Sequence, residues 1–468
     1  MSLFTSLTSG TAALNAQSYA LQVTGKNIAN VNNTNYSRET ANVTSGPGTQ
    51  TAVGYSSSNL QVQSVTQVRS AYLDQQVTQE TSITSALAAE QSALQQAEAS
   101  LGETVSSGTS ASTGANSGAS LSSQLTGLFN AFQGLAASPT DSGAAQNVVQ
   151  SAASLCDQLN QTDSNLAQIQ TGLNSQIQGS AASINSLLSS IAGLNSQIAA
   201  NEAGQPGSAV DLRDQRQADL NSLAAAMSFT TSTGNNGQLQ ISATDANGNA
   251  VPLVDGGTVS NTVAFNGTAL TAGGTALSLT GGSVQGAINA RDGGIQTLRN
   301  GLDALAKQVV TSVNAAYNPT GTTGNFFAAA GTTAATIALD PSLTSSTLTA
   351  GPSGNAGDNT TAVAVANLAN QSFSTSSGDF IDGTMTQSYA NTVSAFGQTI
   401  SDLNNQVENQ TAVQTLVTSQ QQSVSGVNLD EETTNLMMYQ KAYQASSQFI
   451  NIIDGLLNNL IQIGSSLS

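Results

Sequence analysis

Both ends of the chain carry apolar residues that repeat every seven positions. The N-terminal ladder consists of Leu7, Leu14, Leu21 and Ile28, and the C-terminal ladder consists of Leu429, Leu436, Tyr443, Ile450 and Leu457. A helix with a single apolar stripe requires a partner that covers the stripe. The pattern therefore predicts that the terminal helices pack on each other or on neighbouring subunits. The periodicity alone leaves both alternatives open, and a protein that assembles is the first interpretation.

Between the ladders, the apolar period is helical over most of the chain. Helices are predicted over residues 2–31, 69–101, 121–137, from the break at 138–141 to about 201, 209–227, 283–317 and from 359 to the C-terminus. Alternation replaces this period at residues 60–68 and over residues 228–282, which predicts strands, and one further strand is predicted near Ile337. Residues 102–118 are rich in Ser, Gly and Thr and are typical of a loop.

This order of elements predicts a mainly α fold with a β insert, arranged as an elongated, nested rod. Residues 1–45 and 425–468 form a terminal helical domain with a coiled coil. Residues 46–227, 283–317 and 359–424 form a long helical bundle domain. Residues 228–282 and 318–358 form a small outer β domain. A chain of 468 residues is too long for a single core, so about three domains are expected.

Composition removes several classes of function. The chain has no His, no Trp and one Cys, which excludes His-based zinc sites and catalysis by Ser-His or Cys-His pairs. Its net charge is −18 and it has only nine basic residues, so nucleic acid and anionic membranes are poor partners. No cofactor motif is present. A hydrolase of glycans that uses two carboxylates stays open as a distant alternative.

The clusters of acidic residues favour structural roles. Asn428 is expected to cap the last helix, where Glu431 can close a capping box and Asp430 opposes the helix dipole. The run 211–216 alternates Asp and Arg and is typical of a solvated helix face. The run from Asp245 to Asn249 resembles the start of a calcium loop, but the later ligand positions fail, and a hairpin turn is the better interpretation. No catalytic, cofactor-binding or metal-binding residue is predicted.

Two motifs resemble those of a known family. The N-terminal motif consists of Asn27, Ile28, Ala29, Asn30, Tyr36, Ser37 and Arg38, and the C-terminal motif contains Asn428, Asp430 and Glu431. Flagellar rod, hook and hook-associated proteins have an Asn-Ile-Ala-Asn sequence at the end of their first helix. The following Tyr-Ser-Arg sequence resembles flagellar hook-associated protein 1, whereas hook and rod proteins usually have Gly-Phe-Lys there.

The resemblance implies a structural protein that joins the flagellar hook to the filament outside the bacterial cell. Its expected partners are further copies of the chain in a ring, the hook protein, the next hook-associated junction protein and a cytosolic export chaperone. The resemblance also implies type III export without signal cleavage, in agreement with an N-terminus that lacks a signal-peptide pattern. The chaperone is expected on the broad apolar face of the last helix, at Phe449, Ile453, Leu456 and Leu460. The alternative is another axial subunit of the hook type.

Overall fold

The structure is a computed structural model of the chain. It describes residues 3–46, 49–51, 54–56, 60–101, 120–234, 237–321, 324–352, 355 and 357–466, so the predicted loop 102–118 lies outside the described residues. The α-helices are α1 Leu3–Ala29, α2 Ala71–Ser100, α3 Leu121–Ala137, α4 Ser142–Asn201, α5 Val210–Ala226, α6 Ser283–Asn289, α7 Gln296–Tyr317, α8 Thr360–Asn367, α9 Met385–Ser425 and α10 Leu429–Ser466. The strands are β1 Glu39–Ser45, β2 Thr49–Thr51, β3 Gly54–Ser56, β4 Leu60–Gln67, β5 Thr230–Thr233, β6 Leu239–Thr244, β7 Ala250–Asp255, β8 Thr258–Val259, β9 Val263–Phe265, β10 Leu270–Ala272 and β11 Thr275–Ala276. A π-helical turn, Ala290–Ile295, joins α6 to α7, and short 3-10 helices occupy Leu368–Asn370 and Thr375–Ser377.

The first compact unit contains both termini. It consists of residues Met1–Thr84, Ala181–Gly282 and Gln410–Ser468. Helix α1 packs on α10, and β1 pairs with β4 in an antiparallel ribbon that starts with Glu39 opposite Gln67. Four strands form an antiparallel sheet in the order β5-β6-β7-β8, and three strands form a second small sheet in the order β11-β10-β9.

The hairpin between β6 and β7 shows how local sequence sets this part of the fold. The Asp245 side chain accepts hydrogen bonds from the backbone N–H groups of Asn247 and Asn249, both at 2.8 Å, and Gly248 has a φ of 84°. A carboxylate that bonds the backbone two residues on, followed by a glycine with positive φ, closes a tight turn. The prediction of a hairpin turn at this position is confirmed.

The second unit is a helical bundle of residues Ser85–Ser180 and Ser283–Asn409. Helix α3 begins at an N-cap, where the Ser120 Oγ accepts a hydrogen bond of 3.1 Å from the Ser123 N–H. One apolar face of α3 is buried and contributes Phe129 and Phe132 to the core. The Phe132 ring lies 5.2 Å from the Phe326 ring, centroid to centroid, so the segment after α7 packs into the helical core.

The predicted mainly α fold with a β insert is confirmed, but two parts of the prediction differ from the structure. Residues 318–358 belong to the second unit, whereas the strands at 228–282, with which they were grouped in the prediction, belong to the first. The strand near Ile337 is absent from the described residues, where one isolated bridge pairs Phe327 with Leu339. The reason is that Phe326 and Phe327 are fully buried and fix this segment by side-chain packing. The boundaries of three separate domains stay a prediction.

Candidate functional site

The two terminal motifs meet in one polar cluster of the first unit, which we call the junction. It lies where α1 ends, β1 begins and α10 begins, and Asn27, which is 1% exposed, is at its centre. The Asn27 Nδ2 donates to the carbonyl of Glu39 at 2.9 Å and to the Glu432 Oε2 at 3.1 Å. Its Oδ1 accepts from the Tyr36 hydroxyl at 2.7 Å and from the Glu39 N–H at 3.0 Å. Because an amide both donates and accepts, this one side chain connects all three elements.

Arg38 provides a second connection between the N-terminal segment and α10. Its Nε donates to the Glu432 Oε1 at 2.8 Å, and its Nη2 donates to the Glu431 Oε1 at 2.6 Å. Its backbone N–H donates to the carbonyl of Ser425 at 2.8 Å. The Glu432 side chain is only 2% exposed, so the charge of its carboxylate depends on this guanidinium for compensation.

The start of α10 is capped as predicted. The Asn428 Oδ1 accepts hydrogen bonds from the N–H groups of Asp430 at 3.0 Å and Glu431 at 3.3 Å. Asp430, Glu431 and Glu432 all lie in the first helical turn, where negative charge is stabilised by the helix dipole. The role of Glu431 differs from the predicted capping box, because its carboxylate is bound by Arg38.

Helix α5 contacts the junction through two carboxylates, those of Asp211 and Asp214. The Lys26 Nζ lies 2.5 Å from both the Asp211 Oδ1 and the Glu39 Oε1. The Asp214 Oδ2 accepts a hydrogen bond of 3.4 Å from the N–H of Ser37. Asp211 therefore binds the residue that precedes the N-terminal motif, and Asp214 binds the motif itself at Ser37.

The expectation of a solvated helix face at residues 211–216 holds for Asp211, whose side chain is 65% exposed, but is wrong for the two arginines. The Arg213 Nη2 forms an ion pair of 2.7 Å with the buried carboxylate of Glu202. Arg216 is 6% exposed and its Nη1 donates to the Asn195 Oδ1 and to the carbonyl of Gly237, both at 2.7 Å. The alternation of charge along α5 shows only how these residues are spaced on the helix. It does not predict their partners, which lie outside α5.

Burial raises the proton affinity of two carboxyl groups in this region. Burial raises the pKa of Asp214 to about 6, although the nearby Arg69 and the hydrogen bonds from Ser37 and Gln67 oppose the shift. Burial also raises the pKa of Glu39, and the ion pair with Lys26 opposes that shift. The cost of burying these charges is therefore only partly offset by their partners.

The rest of the N-terminal motif is less buried. The Asn30 Nδ2 donates to the carbonyl of Lys26 at 2.9 Å within the last turn of α1, Ile28 is half-buried and Ala29 is exposed. Sequence reasoning missed two members of the junction, namely Lys26 and Glu39. Lys26 lies in the last turn of α1 and Glu432 in the first turn of α10, where their charges stabilise the helix dipoles. These positions were the sequence signal that could have assigned the two side chains to the helix ends.

The terminal helices approach closely through small residues. Helix α1 buries Ala16 and Ala20, and a Cβ atom placed on Gly10 would lie 2.8 Å from the Ile450 Cγ1 of α10. On α10, Ile453 is 4% exposed. The two ends therefore pack on each other within one chain, which was one of the two alternatives.

The predicted ladders lie beside this contact and are incompletely covered. Leu7, Leu14, Leu21, Ile28, Leu436, Ile450 and Leu457 are half-buried, whereas Leu429 and Tyr443 are exposed. Leu21 directly follows the buried Ala20, and one residue is about 100° of rotation round a helix. Ile450 takes part in the intramolecular contact through Gly10, and the incomplete burial of the ladders leaves apolar area available to a further partner.

A broader apolar surface on α10, which we call the outer face, is exposed. It comprises Phe449, Ile452, Leu456 and Leu460, which are 46, 63, 49 and 53% exposed. Their spacing of three and four places them on one side of the helix. Three of the four residues predicted for a chaperone lie here, and the fourth, Ile453, lies in the buried contact.

The described residues contain no group of His, Cys, Asp and Glu side chains that could hold a metal ion. Among the helices that the structure describes, none has the length and hydropathy to cross a membrane.

Comparison with known proteins agrees with the two motifs. The family model described as "Flagellar hook-associated protein FlgK helical domain" matches residues 107–327, and the model described as "Flagellar basal body rod FlgEFG protein C-terminal" matches residues 419–463. Flagellar hook-associated protein 1 of Bacillus subtilis is 25% identical over an alignment of 516 positions, which covers 98% of each chain. The protein of the same name from Salmonella typhimurium is 41% identical over 80 residues, which are 17% of this chain and 14% of that relative.

A solved structure is similar in fold. The flagellar hook junction protein FlgK from Burkholderia pseudomallei superposes with a TM-score of 0.59 at 17% sequence identity. The superposition covers 75% of this chain and 100% of the Burkholderia chain. Together with the family models and the relatives, it confirms the resemblance that the terminal motifs indicated.

Proposed function

We propose that this chain, a flagellar hook-associated protein of the FlgK family, is the structural junction between hook and filament and assembles through its terminal helices. The observation that carries the proposal is the outer face of α10. Four large apolar side chains are about half exposed there on a helix pair that is already formed. Monomeric soluble proteins rarely expose such a stripe unless a partner covers it.

The partners follow from this role. Further copies of the chain form a ring, the hook protein lies on one side and the next hook-associated junction protein on the other. The chain reaches this extracellular position by type III export.

A subunit of the hook type is the second candidate, and one observation favours it. The C-terminal segment, residues 419–463, matches a model built on basal body rod proteins. The helical region favours the junction role, because residues 107–327 match the helical domain of the hook-associated family.

Deletion of the gene is expected to leave assembled hooks without filaments and to release flagellin into the medium. The physical reason is that filament subunits would lack the surface on which the first turn of the filament forms. Electron microscopy of the deletion strain and immunoblotting of the culture medium measure the two effects, with a strain that re-expresses the full chain as the control. Filaments in normal number would exclude the junction role, whereas loss of the hooks would favour the hook-type subunit.

We also propose that a cytosolic export chaperone covers the outer face before export. The face would otherwise promote aggregation, and an amphipathic helix is suited to the groove of a partner. Phe449, Leu456 and Leu460 are accessible to such a partner in the folded helix pair. Ile453 becomes accessible only when α10 leaves α1, because it is 4% exposed.

Truncation after Gly426, which removes α10, is expected to abolish binding of a co-expressed flagellar export chaperone. The helical signal of the second unit in circular dichroism should persist, because none of its residues is removed. A pull-down with the full chain is the reference. A finer variant, Phe449→Asp with Leu460→Asp, should lose binding without loss of the helix. Binding that is unchanged after truncation would place the chaperone site elsewhere.

A further inference from the structure

The first unit contains a cavity of about 740 Å³ that the proposed role does not use. The first half of α2, helix α5 and strand β5 form its walls. Gln75, Gln79 and Ser82 of α2 lie along one wall, Arg216 of α5 along another and Thr231 of β5 along the third. The volume is within the range of about 300–1,000 Å³ that is typical of ligand-binding sites.

Three arginines and one carboxylate lie on the walls of the cavity. Arg69, Arg213 and Arg216 line the cavity, together with the single carboxylate of Asp74. Both oxygens of that carboxylate are occupied, one by the Arg69 Nε at 2.6 Å and the other by the Gln421 Nε2 at 2.6 Å. Arg69 is also paired with Asp214 at 3.2 Å and Arg213 with Glu202 at 2.7 Å, so an anion that enters the cavity would find its unpaired cationic partner in Arg216 alone.

Arg216 differs from the other arginines in its partners. Within the part of the chain that the structure describes, every other arginine has a carboxylate within 4.0 Å, as Arg38, Arg69, Arg213, Arg291 and Arg299 show. Arg216 is buried, and the hydrogen-bond acceptors found for it are neutral, the Asn195 Oδ1 and the carbonyl of Gly237.

Its surroundings weaken the charged form of this guanidinium. Burial, with repulsion from Arg213 and Arg69, lowers the pKa of Arg216 to about 10, although attraction from the more distant Glu202 opposes the shift. A buried cation without a carboxylate in direct contact is costly, and a bound carboxylate would offset that cost with charge-assisted hydrogen bonds.

Two further groups on the walls offer hydrogen bonds. Among the described strands, β5 pairs only with β6, so its other edge is open, and Thr230, Thr231 and Thr233 of this strand line the cavity. The Ser82 hydroxyl is buried and has no hydrogen-bond partner among the described residues. An open strand edge is a template for a further extended segment.

We propose that this cavity binds an extended peptide segment that carries an acidic side chain. The backbone of the segment pairs with the open edge of β5, and its carboxylate lies beside Arg216. A free small anion would satisfy the arginine but would leave the strand edge unpaired. A neutral strand would satisfy the edge but not the arginine, so an acidic peptide is the occupant that satisfies both.

Fluorescence anisotropy of labelled pentapeptides with the full chain tests the proposal. The probe is acetylated and amidated Thr-Val-Asp-Val-Thr, and the matched peptide carries Asn in place of Asp. The acidic peptide should bind about tenfold or more tightly, because a hydrogen bond to a charged group is the stronger kind. A third peptide, N-methylated on the backbone of both Val residues, should bind weakly, because it cannot pair with a strand edge.

Protein variants assign the binding to this cavity. Gln79→Glu puts a negative charge on the cavity wall and should weaken binding of the acidic peptide, whereas Gln95→Glu, an exposed position on the same helix but outside the cavity, should not. Arg216→Gln should abolish the preference for Asp over Asn. Circular dichroism checks its fold, and Gln79→Glu provides the decisive comparison if Arg216→Gln unfolds.

Three outcomes would overturn the proposal. The first is that no peptide changes the anisotropy. The second is equal binding of the Asp and Asn peptides. The third is equal binding of the N-methylated peptide with full displacement by succinate, which would identify a site for free small anions. None of these outcomes depends on assembly into the flagellum, so the proposed junction role stands or falls separately.

Discussion

A Leu456→Asp substitution is expected to leave the soluble chain folded and to abolish its incorporation into the flagellum. Leu456 is 49% exposed on the outer face of α10, so the new carboxylate stays hydrated in the monomer. If assembly covers this face, the charge must leave water without a partner. That costs several kcal/mol, more than the contact of one leucine contributes to the interface.

The matched control is Asn458→Asp. This position carries the same charge on the same helix, but it lies two residues on, about 200° round the helix from Leu456. Thermal unfolding of the purified chains measures the fold, and immuno-electron microscopy in the deletion strain measures incorporation. We expect both variants to unfold like the parent and only Leu456→Asp to be missing from the flagellum. Normal incorporation of Leu456→Asp would show that the outer face is not an assembly surface.

The helices could be predicted from the sequence because their signals are local. The N-cap at Ser120, the periodic apolar residues of α3 and the break before α4 are contained within a few turns. The β6–β7 turn could be predicted for the same reason, since Asp245 bonds the backbone of its near neighbours. Where capping, turn chemistry and apolar period agree, tertiary contacts have little to override.

The junction could not be predicted because its partners are distant in the chain. Asn27 and Glu432 are 405 residues apart in sequence, and Ser37 and Asp214 are 177 apart. A polar motif at a helix end also satisfies its neighbours locally, so its long-range bonds leave no periodic signal. The family resemblance identified the two halves of the motif, and only the fold shows that one amide and one guanidinium join them.

The terminal ladders could be recognised, but their orientation could not. A seven-residue period identifies an apolar side of a helix without stating which neighbour covers it. In the structure, α1 packs on α10, with Gly10 of α1 against Ile450 of α10, and the small residues Ala16 and Ala20 of α1 are buried. Most of the larger ladder residues are only half-buried. This arrangement joins the two alternatives, because an intramolecular pair leaves apolar area for an intermolecular one.

The second large effect is expected at the centre of the junction, where Asn27→Ala should detach the start of α10 from the end of α1. The substitution removes four hydrogen bonds and leaves the Tyr36 hydroxyl, the Glu39 backbone and one oxygen of Glu432 without this partner. A buried polar group that loses its partner costs about 1–3 kcal/mol. We expect a total loss of about 3 kcal/mol in the free energy of unfolding of this unit, since water can replace part of the amide.

Asn30→Ala is the matched control, because it removes the other asparagine of the same motif. Asn30 is half-buried and its side chain bonds only the carbonyl of Lys26 among the contacts found, within its own helical turn, so a loss of less than about 1 kcal/mol is expected. Urea unfolding measures both losses, and amide hydrogen exchange shows where the opening occurs. Protection should fall in the first turns of α10 for Asn27→Ala and stay unchanged there for Asn30→Ala. Equal losses for the two variants would mean that the motif stabilises the end of α1 alone, and that the link between the two termini rests on Arg38 and its two glutamates.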